Sequence, residues 1–426
     1  MNNNIRQMLE EQGIYIKDKD VSEKIVFVFP GHGAQYVGMF EELYKNVNVI
    51  RDVFDKAEKK YVSLAGSSLI DKIFSKEKGG EENLLKPTVM QPSIVLADVA
   101  MYEYVVSLGY KPNYLLGHSL GEIAALCAAK VFSIEEAIEI AYRRAEAVEI
   151  IPKEMRGGMI CIGKEYNSSL ATELLEVGGV GCEISIINSS KQFNISGPTE
   201  ALYKIKNFCD EKNITAIVLK VSHAFHSKIM EASVEPYRKA IENFDFKKPQ
   251  LPVYSTILSK MYNEEMLDSN SFANILASQL VTPFSFMNIV NKLVDAYSVG
   301  YFVEVGPKDI MTKLVKTIAG DRVYAMCTNR TKHGELEEIE NLKAKTFCFG
   351  MKCVEKMNNM TVEGKEMNDI ISIFSYETMY PIRVFSELNK SVFHYYAIAD
   401  EIKDRIVYSL SSKYNLALSN EEWSTI

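Results

Sequence analysis

The chain has 426 residues, 47% hydrophobic and 24% charged, with a net charge of −8; this is ordinary globular composition, long enough for two or three folded units. There is no basic stripe to suit nucleic acid, the polar start MNNNIRQMLEEQG lacks the apolar core of a signal peptide, and no apolar run is long enough to span a membrane. Seven scattered cysteines without zinc-site spacing fit free thiols in a reducing cytoplasm, with no metal centre expected.

Residues 1–22 read as a short helical leader. Lys24–Pro30, KIVFVFP, is apolar, β-branched and aromatic, as in a buried parallel strand. A glycine loop, Gly31-His32-Gly33-Ala34-Gln35, follows, and then an amphipathic helix over about Val37–Tyr61. Ser75–Asn83 is a charged surface loop. A helix is expected over Pro92–Leu108, a short strand over Tyr114–Leu116, an Ala-rich helix over Ile123–Lys130 and another helix over Ile134–Ile151. This alternation predicts an α/β unit with a largely parallel sheet. From Pro152 the pattern changes. Strands are expected at Gly157–Ile162, Cys182–Asn188, Gln192–Ser196 and Thr215–Val221, with helices at Ser168–Val177 and Thr199–Asn213, a β-α-β-β-α-β order of ferredoxin-like type. The main pattern resumes with strands at Leu251–Thr256 and Tyr301–Val305. Residues 331–426 read as helical, with periodicity over Lys332–Lys345 and Ile398–Tyr414; an interaction module and a helical extension of the core remain equally open for them.

The chemistry-bearing motif is Gly117-His118-Ser119-Leu120-Gly121, set between a strand and a helix. In this G-x-S-x-G context a sharp turn lifts the serine hydroxyl above a sheet, near helix N–H groups that favour negative charge. Ser119 is therefore a candidate nucleophile, although a glycine-rich turn with an incidental serine has the same pattern. A serine needs a base. His118 is adjacent and points elsewhere, whereas Ser222-His223-Ala224-Phe225-His226-Ser227 follows a predicted strand end and carries two imidazoles. Arg143 and Arg144 share a helix, about 100° apart, and spacing alone does not choose between them.

FVFPGHGAQ at Phe27–Gln35, GHSLGE at Gly117–Glu122, HAFH at His223–His226 and VEVGP at Val303–Pro307 occur in this order. Together they resemble the malonyl-CoA:acyl-carrier-protein transacylase family, including the acyltransferase units of polyketide synthases, over roughly residues 24–330. The resemblance implies an α/β-hydrolase-like core over 23–151 and 223–330, with a ferredoxin-like subdomain over 152–222 inserted in it. It also implies site roles. Ser119 would form the acyl-enzyme and His226 would be the general base, oriented by the Gln279 backbone carbonyl. The Leu120 and His32 amides would form the oxyanion hole; most relatives carry glutamine at the His32 position, a change that a main-chain donor tolerates. Arg144 would grip the malonyl carboxylate, with Asn188, Phe225 and His223 lining the substrate cleft and Gln35 a structural or site-lining amide.

The implied reaction moves malonyl from malonyl-CoA to the phosphopantetheine thiol of an acyl carrier protein in polyketide or fatty-acid biosynthesis, in the cytoplasm, with no metal or redox cofactor. HAFH accompanies malonyl in this family and a YASH-type sequence accompanies methylmalonyl, so Phe225 is expected to fill the space of a 2-methyl branch. The alternatives are an acyl hydrolase of the same fold that clears stalled chains from carrier proteins, an inactive scaffold docking through residues 331–426, and a generic esterase. The retained Ser119, His226 and Arg144 set and the PGHGAQ loop argue against all three.

Overall fold

The first apolar run forms strand β1 (Lys24–Phe29), buried from Ile25 onward. It occupies the middle of the larger sheet in a computed structural model that describes residues 15, 17, 19–262, 269–331 and 333–351. After β1 come α1 (Glu41–Asn46), α2 (Asn48–Ala65), α3 (Leu69–Phe74), α4 (Gly80–Leu84) and α5 (Pro87–Ser107); then β2 (Tyr114–Gly117), α6 (Gly121–Ala128) and α7 (Ile134–Glu149). Next are β3 (Gly158–Gly163), α8 (Ser168–Gly178), β4 (Glu183–Ser189), β5 (Gln192–Gly197), α9 (Thr199–Glu211) and β6 (Thr215–Val218). The chain continues through α10 (Glu231–Ile241), β7 (Val253–Ser255), β8 (Lys260–Met261), α11 (Ser269–Ser278), β9 (Phe284–Ser285) and α12 (Phe286–Asp295). It closes with β10 (Val299–Glu304), α13 (Ile310–Ala319), β11 (Tyr324–Cys327) and α14 (Glu335–Phe349).

The fold is mixed α/β with two sheets. The six-stranded sheet runs β11-β10-β1-β2-β7-β8. Its pairs are parallel from β11 to β7, and β8 closes one edge antiparallel to β7. The near-continuous apolar strands follow from this, because helices cover a parallel sheet on both faces. The five-stranded sheet runs β6-β3-β5-β4-β9. Its first four strands pair antiparallel, and Ile162, Phe193 and Ile195 join Leu174, Leu202 and Ile205 in a core of its own.

Several expectations shift on contact with the structure. The long helix expected over Val37–Tyr61 is two helices, broken at Val47, whose backbone is extended. The loop expected over Ser75–Asn83 contains the start of α4. The helix α5 begins at Pro87 rather than Pro92. A proline fits the first helical turn, and Pro92 lies within the helix, among side chains that are almost all buried from Val89 to Tyr102, so packing offsets its missing N–H. The second sheet does not end with the 152–222 segment: β9 adds to its edge, pairing parallel with β4 through Ile186 and Ile187.

The start of α14 is tied to α1 by reciprocal carboxylates. Glu335 accepts from the Phe40, Glu42 and Leu43 amides, and Glu42 accepts from the Glu335 amide at 2.6 Å. Each carboxylate thus satisfies N–H groups at the other helix's N-terminus, and the boundary expected at residue 331 falls short of these contacts. Residues 19–342 make up one unit. Of the other, residues 1–18 with 343–426, the described part includes Tyr15, whose ring meets Phe349 edge-on at 6.3 Å. The helix expected over Ile398–Tyr414 lies outside the described residues. Among the described residues, no helix is long and apolar enough to cross a membrane.

Candidate active site

The site forms where β1 and β2 end, a common ligand position in parallel sheets. The chain leaves β2 in a tight turn in which Ser119 has φ of 53°. That left-handed conformation is costly for a residue with a side chain. The flanking residues permit it. A Cβ at Gly117 would stand 2.0 Å from the Glu122 nitrogen, and one at Gly121 would stand 2.3 Å from the Phe29 carbonyl oxygen, so larger residues would force the turn open. The His118 amide donates to the Phe29 carbonyl at 2.9 Å, anchoring the turn to β1.

The glycine loop after β1 lies against this turn. A Cβ at Gly31 would meet the His118 carbonyl oxygen at 2.4 Å and the Leu120 nitrogen at 3.4 Å. Gly31 thus packs directly on the turn at Leu120, and among the described residues neither the Leu120 nor the His32 amide donates to a protein carbonyl. The loop is held by the Gly33 amide, which donates to Gln35 Oε1 at 2.9 Å, and by Lys308 Nζ on the Gly33 carbonyl at 2.7 Å.

His226, 107 residues after Ser119, brings Nε2 to 2.7 Å from the serine Oγ. Its backbone is also left-handed, with φ of 60°. The ring's Nδ1 lies 3.1 Å from the Thr282 carbonyl oxygen. That acceptor places the proton on Nδ1 and leaves the Nε2 lone pair facing the serine hydroxyl. The Gln279 carbonyl, the position to which the resemblance pointed, also acts on the ring, after Thr282. The His226 amide donates to the Leu280 carbonyl at 2.7 Å, so one short segment grips the imidazole twice. Burial, reinforced by the charge of Arg144, pushes His226 down to about 3, which keeps the ring neutral and able to accept a proton.

Gln279 has a different part to play. Its side-chain Nε2 donates to the Ser119 carbonyl at 3.1 Å and to Glu122 Oε2 at 3.2 Å. Glu122 is fully buried and also accepts from the Thr256 amide and hydroxyl and from the Tyr262 hydroxyl. This network pins α6, and with it the serine turn, to the segments after β7 and α11. A lone carboxylate in an Ala-rich apolar helix was the available signal, because a buried charge must be partnered.

The two neighbouring arginines separate cleanly. Arg143 points outward and pairs with Glu139 and Glu146. Arg144 is 1% exposed. Its Nη1 donates to Gln91 Oε1 at 2.8 Å, while Nε and Nη2 have no partner, and among the described residues no carboxylate pairs it. Burial lowers Arg144 only to about 10, so it stays cationic at neutral pH. Gln91 went unnoticed in the sequence, where it is one of several polar residues on α5, with Thr88, Ser93, Asp98 and Glu103, and nothing local marks it out. The Phe225 ring lies 5.2 Å from the Arg144 guanidinium, within cation–π range, and packs against His32 at 4.6 Å and His223 at 5.7 Å. Asn188 on β4 does not face open space alone: its Oδ1 meets His118 Nε2 at 3.1 Å, bridging the second sheet to the serine turn. The His118 ring also contacts Phe284 and Phe286, each at 5.2 Å.

These features define a class: a mixed α/β protein with a buried serine–imidazole pair and, close by, an unpaired buried guanidinium. The acyl transferase domain family matches residues 26–347, and the chain belongs to that family. Among its relatives, the malonyl CoA-acyl carrier protein transacylase of Bacillus subtilis is 29% identical over 69% of this chain and 90% of that protein. The norsolorinic acid synthase of Dothistroma septosporum is 26% identical over 77% of this chain, a match that spans only 13% of the synthase. A malonyl-transacylase solved in complex with a type II polyketide synthase acyl-carrier protein superposes with a TM-score of 0.66 at 27% identity, covering 75% of this chain and 99% of that one.

Proposed function

We propose that this chain transfers a malonyl group from malonyl-CoA, through an ester on Ser119, to the phosphopantetheine thiol of an acyl carrier protein, in polyketide or fatty-acid biosynthesis. The observation that carries the reading is Arg144, buried beside the Ser119–His226 pair with Nε and Nη2 unpartnered and, among the described residues, no carboxylate pairing it. A buried unpaired ion costs several kcal/mol. A ligand carboxylate that takes a hydrogen bond from each of Nε and Nη2 offsets that cost and is oriented by them.

In this scheme malonyl-CoA enters with its free carboxylate on Arg144. Ser119 Oγ forms a bond to the thioester carbonyl carbon as its proton moves to His226 Nε2, and the Thr282 carbonyl holds the resulting imidazolium through Nδ1–H. The negative oxygen sits on the Leu120 and His32 amides; one such donor is worth on the order of 10²–10³ in rate. Collapse breaks the C–S bond, and the departing CoA sulfur takes the proton from His226. The carrier thiol then attacks the serine ester by the same steps, restoring Ser119. Side chains, main-chain amides, the Thr282 carbonyl and the substrates supply every group in this scheme.

The architecture is read as an α/β-hydrolase-like core over 23–151 and 223–330 with a ferredoxin-like subdomain over 152–222. The β3–β6 strand order, with α8 and α9 between strands, supports the second assignment. A cytoplasmic location suits both substrates.

Intact-protein mass spectrometry after incubation with mixed acyl-CoAs tests the proposal. The expected result is a malonyl adduct on the wild type, none on Ser119→Ala, and its disappearance as malonyl appears on added holo-carrier protein. Malonate released to water in place of transfer identifies the acyl hydrolase, and malonyl transfer by Ser119→Ala removes Ser119 from the mechanism.

A further inference from the structure

The Phe225 ring is bordered by the Arg144 guanidinium and by two imidazoles, those of His32 and His223. His223 Nδ1 lies 2.8 Å from the Ser222 hydroxyl, and its Nε2 is buried with no hydrogen-bond partner. The leading cation acting on that ring is Arg156, ahead of Arg144, whereas for His32 Arg144 comes first. His32 lies against Phe225 at 4.6 Å with the ring planes 30° apart, and its Nε2 is buried with no hydrogen-bond partner. The charged and titratable groups that act on it are those of the site, Arg144, His226, His223 and His118. A buried ring nitrogen left without a partner is unfavourable, and a ligand that supplies one relieves the cost. The stacking on Phe225 holds it there.

We infer that the His32 imidazole is a specificity-determining residue, which donates an Nε2–H hydrogen bond to the free carboxylate of the acyl group that Arg144 binds. The inference rests on the malonyl-transfer reading and extends it from the main chain of His32 to its side chain. Two carboxylate oxygens offer about four acceptor positions. The free Nε and Nη2 groups of Arg144 occupy two of them, so a third donor is needed if the carboxylate is to be satisfied away from water. Burial and the nearby positive charge hold the His32 ring in its neutral form. A neutral imidazole donates one hydrogen bond without repelling the guanidinium beside it, and a carboxylate at Nε2 selects the tautomer protonated there. An acyl group without a carboxylate gains nothing from this contact, so the side chain discriminates between acyl groups and leaves the oxyanion donors, which are main-chain, in place.

The test compares full-length wild type, His32→Leu and His32→Gln for single-turnover acylation by malonyl-CoA and by acetyl-CoA, read by intact mass. The expected result is a malonyl-to-acetyl ratio of kcat/KM roughly tenfold lower in His32→Leu, with part of that ratio recovered in His32→Gln, whose amide also donates. A ratio unchanged from wild type in both variants overturns the inference. Equal losses toward the two acyl groups also overturn it, since the ring would then serve only to hold its loop. A wild-type chain that takes no malonyl group overturns the transferase reading itself, and this inference with it.

Discussion

Arg144 and Gln91, on helices separated by 53 positions in the chain, are joined by a single buried hydrogen bond of 2.8 Å from Nη1 to Oε1. The contact uses one edge of the guanidinium and turns the other, carrying Nε and Nη2, to face no protein acceptor. The amide neutralises no charge, so it orients the cation while leaving it available.

Arg144→Met is expected to separate function from stability. Malonyl acylation of Ser119 falls by roughly 10²–10³, the scale of a lost desolvated charge pair of about 3–4 kcal/mol. The midpoint of urea unfolding holds or rises, because an unpaired buried ion has been replaced by an apolar side chain of similar size. A drop in unfolding midpoint comparable to the loss of activity would contradict this account.

Gln91→Leu leaves the guanidinium without its orienting acceptor. We expect kcat/KM with malonyl-CoA to fall roughly tenfold, through KM more than kcat, since carboxylate binding rather than the chemical step is disturbed. Steady-state kinetics with a fixed carrier-protein concentration measure the split.

The pH behaviour of His226 follows from its surroundings. Its pKa is depressed, first by burial and then by the Arg144 charge. Protonation removes the base, so the acid limb of acylation by wild type lies well below the ordinary histidine range, toward pH 3. Replacing Arg144 by Met takes away a positive charge that opposes protonation. The His226 pKa therefore rises, and the loss of base moves to higher pH. Carbon-detected NMR titration of the histidine Cε1 positions in the two proteins reads the shift directly; a shift to lower pH in the variant contradicts the assignment.

Glu122→Ala strips the acceptor from Thr256, Tyr262 and Gln279 together. Leaving several buried donors unpaired is expected to cost about 3–5 kcal/mol of stability, measured by urea unfolding. Glu122→Gln, which keeps one acceptor oxygen, is expected to recover much of that loss.

Phe225→Ser opens space beside Arg144, His32 and His223. The preference for malonyl-CoA over methylmalonyl-CoA is expected to narrow by about 1–3 kcal/mol, the value of a methyl group in a close-fitting pocket. Competition between the two thioesters for Ser119, read by mass, gives the ratio; an unchanged preference would mean that another residue excludes the branch.

Much of the architecture was legible in the chain because its signals are local. The β1 and β2 strands, the serine turn between β2 and α6, and the β-α-β-β-α-β segment all announce themselves by apolar runs and breakers within a few residues. Element ends were less legible. Pro92 reads as a helix start on its own, and only the packing around α5 explains why the helix begins at Pro87 and tolerates a proline inside it. The strand β9, two residues long, carries no periodicity at all; it exists because β4 offers an edge.

The same division runs through the site. Ser119 and its two flanking glycines follow from sequence alone, since a strand–turn–helix with a left-handed serine is a property of adjacent residues. So does the candidacy of His226, once the ordered motifs are seen together. Which arginine faces inward was a matter for the tertiary structure: Arg143 and Arg144 have the same chemistry, and only the placement of α7 against α5 buries one beside Gln91 and leaves the other among surface carboxylates. Likewise, the Thr282 carbonyl joins Gln279 in acting on His226, because how a turning segment is laid across the imidazole depends on contacts far apart in the chain. Local backbone chemistry determined which residues are capable of reacting; contacts between distant parts of the chain decided which of them meet, and in what state of charge.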